Sequence, residues 1–437
     1  MFTTTEEAIT WLHSLEMHGI KPGLKRMEWM LERLGHPDRG IKFVHIGGTN
    51  GKGSTLTFMR HVLQEAGFHV GSFTSPYMTR FQNRIQYNGV DISDADLIAL
   101  TNKVKPLVEE LEHDELGAPT EFEVITVIAI LYFGTVSYPD IVLWEVGLGG
   151  RLDSTNVVVP ILSVITNVGH DHIHILGDTI TQIATEKAGI IKSGVPVITG
   201  VQQPEAREVV TQTAQDKQAS LYTMPHHFHT YDYKREPHGQ SFSYQSVFSS
   251  YLDVFTSLQG EHQFHNAGVA LMALEVLRQY YAVLWDEDEL RRGYERAAWE
   301  GRFEVMQEAP LLIIDGAHNI EGIHELAHTL QHRFAHRRIR LLFTALKGKD
   351  IKQLLKPLDA IVDTIEVTTF EFPRAVELND LMDQLTPHDE WQSHLRGAEN
   401  WQSTLDRMIT DSAEDDVLLV TGSLYFISQV REYLKNT

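Results

Sequence analysis

The chain has 437 residues, 42% hydrophobic and 22% charged, enough for two or three domains with separate cores. Its 37 Lys and Arg stand against 59 Asp and Glu, and a net charge of −22 excludes a nucleic-acid binder with a broad basic face. There is no cysteine, which excludes disulfides, thiolate metal sites and a catalytic thiol. Met1 to Glu7 lacks a basic region leading into an apolar core, and no apolar run approaches a membrane span, so a cytoplasmic protein is expected.

Residues 3–18 carry Ala8, Ile9, Trp11, Leu12 and Leu15 at helical spacing, with Gly19 as the stop. A second helix is predicted from Leu24 to Leu34, closed by Gly35 and Pro37. Phe43 to Ile46 then reads as a buried strand. It enters Gly47-Gly48-Thr49-Asn50-Gly51-Lys52-Gly53-Ser54-Thr55, and Leu56, Met59, Leu63 and Ala66 leave it at helical spacing. Strand, glycine-rich turn and helix are the setting of a phosphate-binding loop. Glycines let backbone N–H groups converge on phosphate oxygens, and the new helix aims its positive end at them. Lys52 would reach the terminal phosphates, and Ser54 or Thr55 offers a hydroxyl to Mg²⁺. The spelling departs from G-x-x-x-x-G-K-[ST], because Gly53 separates the lysine from the hydroxyl.

Further on, His69 to Thr74 is a short strand ending at Ser75-Pro76, and Glu123 to Phe133 is an apolar run of helical length. Ile141 to Val146, Ile161 to Thr166 and Val195 to Thr199 read as strands of a parallel sheet with helices between them. Leu221 to Leu258 alternates in polarity and suggests a small antiparallel β excursion. Helices are expected over Gly260 to Val283 and Glu287 to Ala298. A second α/β unit begins near Gly301, with strands at Leu311-Ile314, Arg340-Phe343, Ile361-Val367 and Val417-Thr421. The expected domains are residues 1–298 and 299–437, meeting at a cleft, where ligands commonly sit.

Several side chains carry chemistry. Glu145 ends a strand that should be central, before Gly147-Leu148-Gly149-Gly150-Arg151-Leu152-Asp153, at the edge where parallel sheets bind ligands. A carboxylate there, across from a phosphate loop, suits Mg²⁺ on a nucleotide. His172 is expected directly after the strand beside that of Glu145, within Asn167-Val168-Gly169-His170-Asp171-His172. Lys187, by itself, reads as a solvated helix lysine. His324-Glu325-Leu326-Ala327-His328 matches H-E-x-x-H, yet Gln331 stands where the metzincin glycine would be, and no third ligand is evident. The apolar stripe Ile323, Leu326, Ala327, Leu330 and Phe334 turns these histidines toward solvent. A GTPase base-reading motif is missing, since Asn102-Lys103-Val104-Lys105 fails at its last position.

These motifs together resemble the folylpolyglutamate synthase and dihydrofolate synthase branch of the Mur ligase superfamily. The resemblance covers nearly the whole chain and is carried most specifically by GTNGKGS at 48–54 and GLGGRLDSTN at 147–156. It implies a P-loop-containing α/β domain with a parallel sheet and small β excursion, plus a Rossmann-like α/β C-terminal domain. Carried over by position, Gly48, Thr49, Asn50, Gly51, Lys52, Gly53 and Ser54 would cradle ATP phosphates. Asn266, Arg302 and Asp315 match ATP contacts, and His318 would assist beside them. Ser75, Glu145 and His172 match magnesium ligands. Lys187 matches a lysine whose carbamylation would turn a cation into an anionic ligand for Mg²⁺. Thr120, Phe122, Glu123, Arg151, Leu152 and Asp153 match the pterin-binding region. Tyr77 and Asn83 depart from the family pattern, and Ile20-Lys21-Pro22 matches a pterin-linked segment only loosely.

The implied reaction is ATP-dependent ligation of L-glutamate to dihydropteroate, to a tetrahydrofolate or other folate, or to both, through an acyl phosphate. Arg151 in GLGGRLD resembles the bifunctional bacterial form. The second domain is expected to close over ATP at a hinge near Ala298 to Gly301, with Lys52, Lys187, Arg302 and His318 doing the catalytic work. A monomer is expected, with neither nucleic acid nor membrane as partner. Two rivals stand beside this reading. A cell-wall Mur ligase would need a uridine-nucleotide domain before the loop, where only about forty residues lie. A non-catalytic ATP-binding regulator has no need for Glu145, His172, Lys187 and Arg302 together.

Overall fold

The computed structural model describes residues 1–436 except 20, 79, 237, 386–390 and 392. Ile20, of the loosely matching Ile20-Lys21-Pro22, therefore lies outside the described residues. Two compact units emerge, one of Met1–Ser257 with Phe264–Ala297, the other of Leu258–Gln263 with Ala298–Thr437.

The first unit opens with helices α1 (Thr5–Ser14) and α2 (Lys25–Arg33), then strand β1 (Phe43–Gly47) and helix α3 (Lys52–Glu65). Next come β2 (Val70–Phe73), a β3–β4 hairpin (Ile85–Tyr87, Val90–Asp91), α4 (Asp94–Glu112) and α5 (Glu121–Tyr132). After β5 (Ile141–Glu145) and β6 (Leu162–Ile165) follow α6 (Ile173–Leu176), α7 (Ile180–Ala188), β7 (Val197–Thr199), α8 (Pro204–Asp216) and β8 (Leu221–Thr223). Among the described residues these strands form one eight-stranded sheet in the order β4-β3-β2-β5-β1-β6-β7-β8. It is parallel from β2 to β8, and the β3–β4 hairpin adds an antiparallel edge. The central strands are buried along their whole length, as continuous Val/Ile/Leu runs require when helices cover both faces.

Two sequence expectations change here. The segment from Leu221 is not wholly an antiparallel excursion: Leu221–Thr223 pairs parallel with β7 as the sheet's last strand. The excursion proper is the antiparallel β9 (Phe228–Glu236), β10 (Gly239–Ser246) and β11 (Ser250–Thr256). And β6, which leads to His172, does not lie beside β5: β1 stands between them. Helices α9 (Glu261–Tyr281) and α10 (Glu287–Arg296) complete this unit from Phe264 onward. Gly293 of α10 lies so close to α3 that a Cβ would stand 2.7 Å from Val62 Cα, and Tyr294 stacks on Phe58 at 4.7 Å. The phosphate-loop helix is thereby clamped on the side away from the sheet.

The second unit is a six-stranded sheet of order β12-β13-β17-β14-β15-β16. Its elements are β12 (Glu304–Glu308), β13 (Leu311–Ile314), α11 (Ile320–Phe334), β14 (Ile339–Phe343) and α12 (Ile351–Asp359). They continue with β15 (Thr364–Thr368), α13 (Leu378–Leu385), β16 (His394–Ala398), α14 (Trp401–Thr410), β17 (Val417–Thr421) and α15 (Leu424–Asn436). Among the described strands only β12 runs antiparallel. Both units thus match the α/β class expected from the alternation of apolar strands and helices. No helix among the described residues is long and apolar enough to cross a membrane.

Two imidazoles are built into the first unit in neutral form. His45 on β1 is fully buried and its Nε2 meets Thr155 Oγ1 at 2.9 Å. Burial, then the charge of Lys192, drives its pKa down to about 3. His61 on α3 donates from Nδ1 to Thr57 O (2.9 Å), and burial, then Arg60, brings it to about 4. Unfolding frees both to protonate near pH 6.5, so stability is full above that value and is lost as pH falls toward 3–4. At pH 5 the His45 contribution alone amounts to about 2 kcal/mol. Urea unfolding midpoints measured from pH 7.5 to 4.5 should fall steeply below 6.5, and the His45→Gln variant should fall less.

Candidate active site

The loop between β1 and α3 owes its shape to two glycines and to the strand next door. Gly48 (φ 151°) and Gly51 (φ 79°) hold backbone angles that side chains rarely adopt. A Cβ at Gly48 would stand 1.9 Å from Thr166 Oγ1, and one at Gly51 2.1 Å from Asn266 Oδ1. Thr166 and Asn167 follow β6. The Thr166 hydroxyl donates to Asn50 O (2.6 Å), and Asn167 Oδ1 accepts from the N–H groups of Thr49 (3.1 Å) and Asn50 (2.8 Å). Thr49 and Gly169 exchange two further hydrogen bonds. The Lys52 ammonium folds back over the carbonyls of Gly48 (3.1 Å) and Thr49 (3.2 Å). Thr55 is fully buried, which leaves Ser54 as the hydroxyl of that pair with any access.

Either side of this loop lie the other predicted groups. On the β5 side, Glu145 is buried, and its Oε2 accepts the Ser75 N–H at 3.1 Å, so Ser75 and Glu145 are brought together. On the β6 side, His172 is exposed at the start of α6, with φ 50° and its N–H on Asp171 Oδ1 (2.9 Å).

Lys187 overturns its solvated reading: it is 3% exposed. Its ammonium makes no hydrogen bond or ion pair among the described residues. Burial above all, then the charge of Lys52, lowers its pKa to about 7, against the opposing pull of Asp171 and Asp153. Glycines permit this burial. A Cβ on Gly150 would come within 2.8 Å of Glu186 O, and one on Gly189 within 2.3 Å of Arg151 Cβ. The turn before Asp153 therefore seats directly on the end of α7, fastened by Arg151 N–H to Glu186 O (2.7 Å) and the Arg151–Glu186 ion pair (2.7 Å).

The pterin-region residues divide by role. Asp153 is buried, its Oδ2 accepts the Leu148 N–H (2.7 Å) and its Oδ1 the Thr155 N–H (3.0 Å). Burial raises its pKa, opposed by those hydrogen bonds. Thr120 and Glu123 form a capping box at the start of α5, and both Glu123 oxygens also accept from Arg26 Nε (2.9 and 3.1 Å). The Glu123 carboxylate is thus committed within the protein. The half-buried Phe122 ring packs on Gly147, where a Cβ would stand 2.5 Å from its Cζ, and Leu152 is exposed. Phe122 and the 147–153 turn therefore share a surface.

In the second unit, Asp315 follows β13 and spends both oxygens on backbone N–H groups, of Phe303 (2.8 Å) and Ala317 (2.8 Å). This draws Gly301–Phe303 onto the strand end and sets Arg302 there, half-buried. Its guanidinium has no hydrogen-bonding partner among the described residues. His318 Nδ1 donates to Gly316 O at 2.8 Å, beside it. Arg302, Asp315 and His318 thus gather at one strand end. Sequence reasoning passed over Asn167 and Thr166 as the props of the phosphate loop. Their signal was a polar pair directly after an apolar strand.

A strand–loop–helix with a lysine at helix position one, followed by a second α/β unit, fits a Mur-type ligase. Family models agree: the Mur ligase middle domain matches residues 46–274, and the Mur ligase glutamate ligase domain residues 301–424. The dihydrofolate synthase/folylpolyglutamate synthase of Bacillus subtilis is 44% identical over 439 residues, covering 100% of both chains. Folylpolyglutamate synthase of Mycobacterium tuberculosis, solved with ADP and AMPPCP, superposes with a TM-score of 0.89 at 30% identity, over 98% of this chain and 99% of that one. An FPGS–AMPPCP–folate complex gives a TM-score of 0.84 at 31% identity, over 99% and 100%. The chain belongs to the dihydrofolate synthase/folylpolyglutamate synthase family and is an ATP-dependent ligase.

The Asn167 carboxamide supplies two of the bonds that shape the loop, each worth about 1 kcal/mol net. Asn167→Ala should weaken binding of a nucleoside triphosphate analogue roughly tenfold, as measured by calorimetry, with the far-UV spectrum unchanged.

Proposed function

We propose that this chain joins L-glutamate to both dihydropteroate and reduced folates, with ATP as the energy source, in the bifunctional manner named for its Bacillus subtilis relative. The observation that carries the reading is the buried Lys187 amine beside Lys52, at the edge of a sheet whose phosphate loop is already shaped.

In this reaction an oxygen of the substrate carboxylate attacks the γ-phosphorus of ATP and ADP departs, leaving an acyl phosphate. The amine of L-glutamate then attacks the carbonyl carbon, the C–O bond to phosphate breaks, and an amide remains. Such phosphoryl transfer depends on positioning and on neutralising charge. The loop of residues 48–54, with the Lys52 ammonium, is assigned to the phosphates, with Asn266 and Arg302 as further contacts. Arg302 suits this task because its guanidinium has no hydrogen-bonding partner among the described residues.

Mg²⁺ would supply charge neutralisation at the phosphates when bound. The oxygen donors of Ser75 and Glu145, brought together by the Ser75 N–H on Glu145 Oε2, fit a hard cation. His172 and a carbamate on Lys187 are the further ligands proposed. The neutral form of an amine adds CO₂, and a pKa lowered to about 7 makes that form available to Lys187 near neutral pH. Phe122, Leu152 and Arg151 are proposed to face the pterin, with Asp153, Thr120 and Glu123 holding that surface in place.

ADP release with L-glutamate tests the reading directly. Both dihydropteroate and tetrahydrofolate should support turnover. Turnover with tetrahydrofolate alone would reduce the activity to folylpolyglutamate synthesis, and turnover with neither would refute it. Arg302→Ala should retain ATP binding and lose ligation by roughly 100-fold; unchanged turnover would remove Arg302 from the reaction.

A further inference from the structure

His45 on β1 and Trp144 on β5 are paired in register, and both side chains reach the short helical turn Ser154–Val157. The Trp144 indole N–H donates to Thr155 O (3.0 Å), and His45 Nε2 lies 2.9 Å from Thr155 Oγ1. The Thr155 hydroxyl has one proton, and that proton goes to Asp153 Oδ1. Thr155 Oγ1 must therefore accept from His45, which places the imidazole proton on Nε2. The other ring nitrogen, Nδ1, is then bare, and it is buried without a hydrogen-bond partner. An apolar residue at this position would leave no such orphan. What the imidazole adds is the Nε2–H. Burial and the Lys192 charge keep the ring neutral, so the direction of the bond is fixed.

The chain of bonds continues outward from Thr155. Asp153 Oδ1 also accepts the Thr155 N–H (3.0 Å), and Oδ2 accepts the Leu148 N–H (2.7 Å). Asp153 thus pins the head of the 147–153 turn to Thr155. At Gly147 a Cβ would stand 2.5 Å from Phe122 Cζ and 3.1 Å from Asp153 Oδ2, so ring and carboxylate close on the turn together. Asp153 is buried, and a buried carboxylate that loses a donor is costly where it stands. Without Thr155 Oγ1 it would turn away and release Leu148.

We propose that His45 and Thr155 are positioning residues for the pterin acceptor, because the bonds His45–Thr155–Asp153–Leu148 hold the 147–153 turn against Phe122. This rests on the reading that Phe122 and that turn receive the pterin. Strand β1 also leads into the phosphate loop, so the seats of both substrates hang from one central strand.

Steady-state kinetics with dihydropteroate and tetrahydrofolate as acceptors test the assignment. Thr155→Val is nearly isosteric and removes the hydroxyl. It should raise the KM for the acceptor roughly tenfold, with kcat and the KM for ATP within about twofold of wild type. Thr155→Ser should restore most of the lost affinity. His45→Met leaves the Thr155–Asp153 bond in place and removes the donor behind it, so a rise of about threefold is expected. Where Thr155→Val is too unstable to assay, His45→Met carries the comparison. An unchanged acceptor KM in these variants would overturn the assignment. So would an equal rise in the KM for ATP, which would signal a general loosening of β1. Phe122→Ala reads the underlying assignment separately: an unchanged acceptor KM there would take the pterin off this surface, and the positioning role with it.

Discussion

The site depends on one electrostatic constraint: Lys187 is buried within reach of the Lys52 charge, and among the described residues its ammonium makes no hydrogen bond or ion pair. Lys52 rests its ammonium on two carbonyls of its own loop. Lys187 has burial on all sides and Lys52 as a neighbour, so its proton is held weakly. A folded chain tolerates such a group only where the surroundings over-determine its position, and such positions cluster at functional sites. The surroundings here are glycines. Gly150 and Gly189 leave no space for a side chain, so the turn and the end of α7 close on each other and keep Lys187 inside.

The same logic of backbone bonding sets the remaining parts. Asn167 and Thr166 hold the phosphate loop from the neighbouring strand, and in the second unit Asp315 holds Gly301–Phe303 and so presents Arg302. In both units a polar side chain just past an apolar strand satisfies loop N–H groups that would otherwise lack partners. Asp315, Asp153 and Glu123 spend their carboxylates on internal partners, whereas the Arg302 guanidinium has none among the described residues. By that criterion Asp153 and Glu123 support the site, while Arg302 and Phe122 are available to it.

Much of this was legible in the sequence because the signals were local. Buried parallel strands are continuous apolar runs, and the phosphate loop is marked by glycines at the positions that need φ > 0. The β8 edge strand was not legible, since three residues carry too little periodicity to tell a parallel partner from a hairpin arm. Strand order was not either. Chain order places β6 after β5, and nothing local records that β1 inserts between them, setting the phosphate loop between Glu145 and His172. Lys187 was misread for a related reason. Its helix is amphipathic, yet what buries it is a glycine turn more than thirty residues earlier in the chain. Long-range packing of that kind leaves no mark in the helix's own pattern.

The proposed carbamylation would convert the Lys187 amine from cation to anion. Carbon-13 NMR of the enzyme equilibrated with ¹³C-bicarbonate tests it most directly. The expected result is a carbamate resonance in the wild-type protein that is absent from Lys187→Ala. A wild-type spectrum with no such resonance at saturating bicarbonate, or one that persists without Lys187, would contradict it.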